Sequence, residues 1–357
     1  MIEVQQKPRL LTGDTPTGRL HLGHFVGSLE NRVKMQEEYD CYFLIANVHA
    51  FTTRMDQPAE IHQSVIDILI DYLAAGIDPK KSTIFLQSEI PAIAELTFFF
   101  SMLIPYPRLL RNPTIKDEIR DKQLGDNYPF GFLLYPVGQV ADILSFRPLI
   151  VPVGEDQVPH VEMTREVARR FNQLYCAVDS HTKDQDQLKQ GGLFPIVDVK
   201  LGRSHRLIGI GAPGQDGRLL KMSKSLNNAI FLSDDADTVK KKVMAMYTDP
   251  NRLKVTDKGS VENNPLWIFH EIFNKDRAWV EEAKNRYREG TIGDVECKKV
   301  LIEILVHLIE PIRKERLRYE KEMSYVKSVL KEGTIKANEV ASETLQLAKE
   351  AMKQRYF

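Results

Sequence analysis

The sequence predicts an α/β protein, a doubly wound parallel sheet followed by an all-helical domain. Three observations carry that expectation. Short apolar runs alternate with longer stretches of helical period in the first half of the chain, the pattern of parallel strands joined by crossover helices. The first apolar run ends in a polar turn containing glycine, where open parallel sheets place their ligands. From Asp234 onward the pattern changes to long amphipathic repeats.

Taken in order, residues 9–13 predict the first strand, which delivers the glycine turn at its C-terminal end. Phe25, Val26, Leu29 and Val33 recur at helical spacing, so a helix opens directly after His24. CYFLIA at 41–46 predicts the second strand. Pro58 near a start, then Ile61, Val65, Leu69 and Leu73 on one face, with Gly76 and Pro79 as stops, predict the next helix. Residues 83–86 and 148–153 read as the third and fourth strands, with an inserted helical segment at about 89–135 between them. In that insertion 89–104 is more apolar than one core-facing stripe requires, with Phe98, Phe99 and Phe100 in succession, which predicts a subunit interface and a homodimer, with a fully buried helix as the alternative. The polar stretch 108–127, broken by Pro113 and Gly125, predicts a mobile loop near the site. Further on, Leu301, Leu305, Leu308 and Ile312 share one helical face, and Val340, Leu345, Leu347 and Met352 predict a final amphipathic helix. The division expected is 1–233 for the α/β domain and 234–357 for the helical one.

A chain of 357 residues with 43% hydrophobic content can bury one large core and a smaller one. Lys plus Arg equals Asp plus Glu at 49 each, which argues against a general nucleic-acid coat protein while leaving room for a local basic patch. Two basic clusters, at 240–242 and at Arg313, Lys314, Arg316 and Arg318, are candidates to meet phosphates, or else ordinary solvated faces. Cys41, Cys176 and Cys297 are scattered and odd in number, suiting reduced thiols and offering no metal cage. There is no apolar run of about eighteen residues, and the start MIEVQQKPRL has neither the basic nor the apolar region of a signal peptide, so a cytoplasmic protein without a membrane span is expected.

Two motifs carry the chemistry. TPTGRLHLGH at 15–24 puts Gly18 and Gly23 where a backbone must approach a ligand, and aims His21 and His24 at the same place. KMSKS at 221–225 offers two lysines and two hydroxyls on a short loop, the donor set that phosphate oxygens require. Alone, the first reads more readily as a turn with capping histidines, and the second has a solvated basic loop as its bland alternative; together, in this order, they point to polyphosphate. The pair resembles the signature of class I aminoacyl-tRNA synthetases, whose catalytic fold is a Rossmann-like doubly wound sheet.

The stretch 135–166 carries the substrate chemistry. Tyr135, Gln139 and Asp142 follow a YxxxQxxD spacing that puts them on one side of a helix. Apolar neighbours Ala141, Ile143 and Leu144 favour a partly buried Asp142 carboxylate in need of a donor over an exposed one. Gly154, Glu155, Asp156 and Gln157 lie between an apolar run and an amphipathic helix, again a ligand edge. His160 and Glu162 make too thin a set for a metal, and none is expected.

Over most of residues 8–250, TGDTPTGRLHLGH, NVHAFT, YPVGQVADIL, VPVGEDQVPHVEMTREVARRFN, KMSKS and MYTDP narrow the likeness to the tryptophanyl-tRNA synthetases of bacterial type. The resemblance implies a tryptophan–tRNA ligase that uses ATP with Mg²⁺, forms tryptophanyl-adenylate and charges tRNA(Trp). It implies that Thr15, Pro16, Thr17, Gly23 and His24 bind ATP, that Gly154, Glu155 and Asp156 flank its sugar and base, and that the backbone near Leu207 lies close to adenine. Lys221, Met222, Ser223, Lys224 and Ser225 would cover the pyrophosphate, with His21, His24, Lys221 and Lys224 stabilising its charge. Asp142 would accept the indole N–H, while His49, Tyr135, Gln139 and Gln157 line the pocket. The helical half would read the anticodon. Asn47, His24 and Gln139 depart from residues common in the family. Because YxxxQxxD also fits a tyrosine pocket, tyrosine–tRNA ligase is the alternative, ahead of a small-molecule nucleotidyltransferase or a silent regulatory paralogue.

Overall fold

The computed structural model describes residues 7–121, 125, 127–201, 207–252 and 254–357, with the side chains of Asp121, Asp156 and Leu201 excepted. Among them β1 (Arg9–Asp14), β2 (Asp40–Ile45), β3 (Ser82–Leu86), β4 (Ile150–Val153) and β5 (Asp198–Leu201) pair in the order β3-β2-β1-β4-β5, every pair parallel. The order reverses direction at β1. Such a sheet leaves a crevice beyond the carboxyl ends of its central strands. Four strands coincide with the expected runs; β5, a short DVKL segment, had no apolar signature to announce it.

The helices are α1 (Leu22–His24), a π-helical turn over Phe25–Leu29, α2 (Glu30–Met35), α3 (Asn47–Arg54), α4 (Pro58–Ala74), α5 (Pro91–Ser101), α6 (Tyr106–Leu110), α7 (Pro113–Asp121), α8 (Phe130–Leu144), α9 (Val158–Tyr175), α10 (Ala236–Met244), α11 (Pro265–Phe273), α12 (Arg277–Glu289), α13 (Asp294–Lys321) and α14 (Met323–Ala351). Contacts divide the chain into two units. One comprises residues up to Gly18, Asn31–Ser204 and Glu322–Phe357; the other comprises Arg19–Glu30 and His205–Lys321.

In the first unit, the inner faces of the strands meet α5, α8 and α9 through Leu11, Tyr42, Leu44, Phe85, Phe100, Val140, Phe146 and Phe171. Helix α14 joins this core through Ala337, Ala341, Leu345 and Ala348, so the C-terminal helix packs with the sheet and with α5 in the first unit. The contact is close. Gly333 lies on the edge strand, where a Cβ would come within 2.1 Å of the Ile84 carbonyl oxygen, and Thr334 Oγ1 accepts the Leu86 N–H at 3.2 Å. A covered edge cannot recruit another strand.

Of the stretch expected as a mobile loop, 108–127, the described residues 108–121 are largely helical, while 122–124 and 126 lie outside the described residues. Pro113 starts α7 instead of breaking it, since proline is tolerated in a first turn. Asn112 Oδ1 accepts the Thr114 N–H at 3.0 Å, and Ile115 is buried against Phe132 and Leu133. Of the apolar triplet on α5, Phe100 is buried, Phe99 packs against the core, and Phe98 is 65% exposed.

In the second unit, α10, α11 and α12 begin with Asp235, Asn264 and Asp276, whose side chains accept backbone N–H groups of the first turn. Buried Leu301, Leu305, Ile309, Ile312 and Arg316 form the inner stripe of α13, with Leu308 only half-buried. Arg316 therefore does not face outward with the basic cluster, and it pairs with Glu320 at 3.2 Å. Arg313 and Arg318 are held by Glu310 and Glu315 one turn away.

Candidate active site

In the first unit the ends of three strands bring a set of polar side chains together. Past β2, α3 carries His49; past β3 comes Gln87; past β4, Gly154 opens a 3-10 turn over Glu155–Gln157 that leads into α9. Helix α8 supplies Tyr135, Gln139 and Asp142, as their spacing predicts. Asp142 is buried, and Gln87 Nε2 donates to its two oxygens at 2.8 and 3.0 Å. His49 Nε2 lies 3.5 Å from Asp142 Oδ2. Burial pushes the Asp142 carboxyl up to about 7, the Gln87 bond opposing that rise, and pushes His49 down to about 4. At neutral pH the imidazole is uncharged, so this contact is not an ion pair.

Gln139 Nε2 donates to Gln157 Oε1 at 3.3 Å, joining α8 to the GEDQ turn. The Tyr135 hydroxyl donates to Glu118 at 3.2 Å and sits 3.4 Å from His160 Nε2, while Asn112 Nδ2 lies 3.4 Å from His160 Nδ1. His160 is thus a buried member of a polar network. Among the described residues no group of three or more His, Cys, Asp or Glu is placed to hold a metal ion. Sequence reasoning missed Gln87, Glu118 and Asn112. Gln87 had a signal: a polar residue directly after the apolar STIFL strand.

In the same unit β1 runs into the TPTG turn. Arg32 and Tyr72 hold Asp14 at the strand end, and Arg54 Nη2 donates to the Pro16 carbonyl. Thr15 and Thr17 are exposed, and Gly18 has a φ of 98°. Gly154 and Glu155 stand at the end of β4, and the Asp156 side chain lies outside the described residues.

The second unit brings HLGH and KMSKS together. Leu22 N–H donates to Ile230 O at 2.9 Å and Leu232 N–H to Leu20 O at 3.0 Å, so the histidine segment pairs with the chain that leaves the KMSKS loop. On its other side Met222 N–H donates to Leu207 O at 3.0 Å. The loop is shaped by buried Asn228, whose Oδ1 accepts the Ser223 N–H at 2.7 Å and whose Nδ2 donates to Lys221 O at 3.2 Å. Ser223 and Ser225 hydroxyls are 2.9 Å apart.

The His21 and His24 rings stack with centroids 3.8 Å apart, and a Cβ on Gly23 would meet the His21 ring at 2.9 Å. Burial first, then the positive charges of His24, Lys224 and Lys221, push His21 down to about 3. The His21 backbone N–H donates to His24 Nδ1 at 3.2 Å, which puts a ring N–H of His24 at Nε2. An imidazole N–H donor and two lysines near His21 can hydrogen-bond phosphate oxygens and offset their charge.

The profile of the tRNA synthetases class I (W and Y) matches residues 3–310. A tryptophan–tRNA ligase of Lactococcus lactis is 47% identical over 355 residues, covering 98% of this chain and 99% of the relative. One from Streptococcus mutans is 46% identical over 355 residues, with the same coverage. The fold is similar to that of tryptophanyl-tRNA synthetase from Campylobacter jejuni complexed with ADP and tryptophan, at a TM-score of 0.80, 29% identity, and 97% and 99% coverage of the two chains. With its parallel sheet, its HLGH and KMSKS segments joined, and these relatives at nearly full length, the chain belongs to the tryptophanyl-tRNA synthetases of class I.

Proposed function

We propose that the chain activates L-tryptophan with ATP, releasing pyrophosphate, and then transfers the tryptophan to the 3′ end of tRNA(Trp). The observation that carries this reading is Asp142, a buried carboxylate oriented by a neutral amide and suited to accept the N–H of an indole. The relatives with tryptophan in their names support that amino acid over tyrosine.

ATP, taken with its Mg²⁺ as the substrate, receives the tryptophan carboxylate at its α-phosphorus in line. The P–O bond to pyrophosphate breaks as the carboxyl–phosphorus bond forms, and negative charge grows on the phosphoryl oxygens. Stabilising it is the catalytic task. Lys221, Lys224 and the Nε2–H of His24 act on that charge, with His21 as a neutral ring that holds His24. Thr15, Pro16, Thr17, Gly23, Gly154, Glu155, Asp156, Met222, Ser223, Ser225 and the backbone at Leu207 complete the nucleotide contacts. Tyr135, Gln139, His49 and Gln157 line the amino-acid pocket. In the second step a terminal ribose hydroxyl of the tRNA attacks the adenylate carbonyl, and AMP leaves. No nucleophilic side chain takes part.

Exposed Phe98 and Met102 at the end of α5 fit a homodimer contact. Exposed Lys240 and Lys241 on α10 suit tRNA phosphates, and the helical region from residue 234 the anticodon. Among the described residues no helix is long and apolar enough to cross a membrane, in keeping with work in the cytoplasm. Calorimetric titration tests the pocket: Asp142→Ala should weaken tryptophan binding at least tenfold and leave ATP binding unchanged. Unaltered tryptophan affinity removes the role given to Asp142.

A further inference from the structure

We propose that Gln87 is a specificity-determining residue, which keeps Asp142 as an acceptor for an N–H donor by relaying the N-terminus of α3 to it. This rests on the reading of Asp142 as the indole acceptor. The Gln87 side chain is buried at the carboxyl end of β3, and all its polar atoms are engaged. Its Oε1 accepts the backbone N–H groups of Val48 at 3.1 Å and His49 at 3.3 Å; its Nε2 faces both Asp142 oxygens. The amide cannot be turned over. A flipped amide would set its NH₂ against two N–H donors and its oxygen against a carboxylate.

First-turn N–H groups of a helix have no acceptor within that helix, and the Val48 and His49 groups find theirs in Gln87. Donation to Oε1 polarises the amide and strengthens its N–H toward Asp142. The helix end is thereby felt by a carboxylate it does not touch. The strand end that carries Gln87 is itself pinned, since the adjacent Leu86 N–H donates to Thr334 of α14.

A buried carboxyl without such a donor takes up a proton, and in that form it can offer an O–H to an acceptor as readily as it accepts from an N–H. An indole analogue with sulfur in place of the N–H is then no longer penalised. Gln87 opposes this by favouring the anion, holding the carboxyl below where burial alone would put it. The titratable group facing Asp142 among the described residues is His49 on α3, and Tyr135 on α8 packs its ring against that imidazole with centroids 6.1 Å apart. Neither supplies a charge that replaces the amide.

Gln87→Glu is the informative variant, because it retains an acceptor for Val48 and His49 and exchanges only the donor side for an oxygen. Two carboxyls in contact then share one proton near neutrality. Steady-state activation is measured from pH 6 to 9 with tryptophan and with benzothienylalanine, for the intact protein and for Gln87→Glu, Gln87→Met and Asp142→Ala. In Gln87→Glu the KM for tryptophan should rise about tenfold or more at pH 7 and fall again toward pH 9, kcat should stay within about threefold, and the preference over the sulfur analogue should shrink about tenfold or more. Should Gln87→Glu not fold, Gln87→Met should raise the pH at which KM doubles by at least about one unit, since it removes the donor without adding an acid. A merely structural role for Gln87 would raise KM equally for both substrates and leave the pH profile in place, and that result overturns the proposal. If Asp142→Ala itself keeps the preference for tryptophan over the analogue, the acceptor role of Asp142 fails, and the proposal falls with it.

Discussion

The Arg32 guanidinium grips both carboxylate oxygens of Asp14, at 2.8 and 3.1 Å, and the same Nη1 that makes the shorter bond also donates to the Tyr72 hydroxyl at 2.7 Å. Arg32 is buried, and its charge is therefore compensated at the point where β1 turns into TPTG. Removing one partner of such a pair leaves the other charge stranded. Asp14→Asn should cost about 3–5 kcal/mol in urea unfolding, whereas Asp14→Leu combined with Arg32→Met should cost much less. Equal losses in the single and double variants would show that the pair is not coupled.

Asn228 ties two points of the KMSKS loop together, at Ser223 N and Lys221 O. Asn228→Ala should loosen the loop and slow tryptophan-dependent pyrophosphate exchange by about ten- to a hundredfold, because misplaced charges stabilise a transition state poorly. Lys224→Ala should slow it at least as much, with tryptophan affinity nearly unchanged in both. A variant that loses tryptophan affinity in proportion to its rate would contradict this assignment.

Asp142 and the histidines His21 and His49 give opposite pH dependences. In the folded protein Asp142 holds its proton up to about 7, against 3.8 ordinarily, so between about 4 and 7 the folded state binds more protons than the unfolded one and stability falls as pH rises. His21 and His49 are lowered to about 3 and about 4 from 6.5, so their contribution is lost as pH falls below 6.5. Unfolding midpoints of Asp142→Asn, set against the unaltered protein from pH 5 to 8, should show the variant gaining relative stability with rising pH. A difference that does not vary with pH would mean that Asp142 does not titrate in this range.

Much of this was legible in the residues. Strands β1 to β4 and helix α4 follow from apolar runs and from the stops at Gly76 and Pro79, and Tyr135, Gln139 and Asp142 do come from one helix. What was hidden depends on contacts distant in sequence. Nothing local marks Gln87 as the partner of Asp142, or Arg32 rather than the neighbouring Val33 as a buried residue of α2. Pro113 read as a breaker because its burial-driven context, Ile115 against Phe132, lies in a later helix. Likewise, the amphipathic pattern of α14 tells that it packs, but not that its partner is β3.

The central claim is that one aromatic amino acid is activated at this site. Exchange of labelled pyrophosphate into ATP, run with each of the twenty amino acids in turn, tests it most directly. Tryptophan alone should support rapid exchange. Exchange with tyrosine and none with tryptophan would contradict the account.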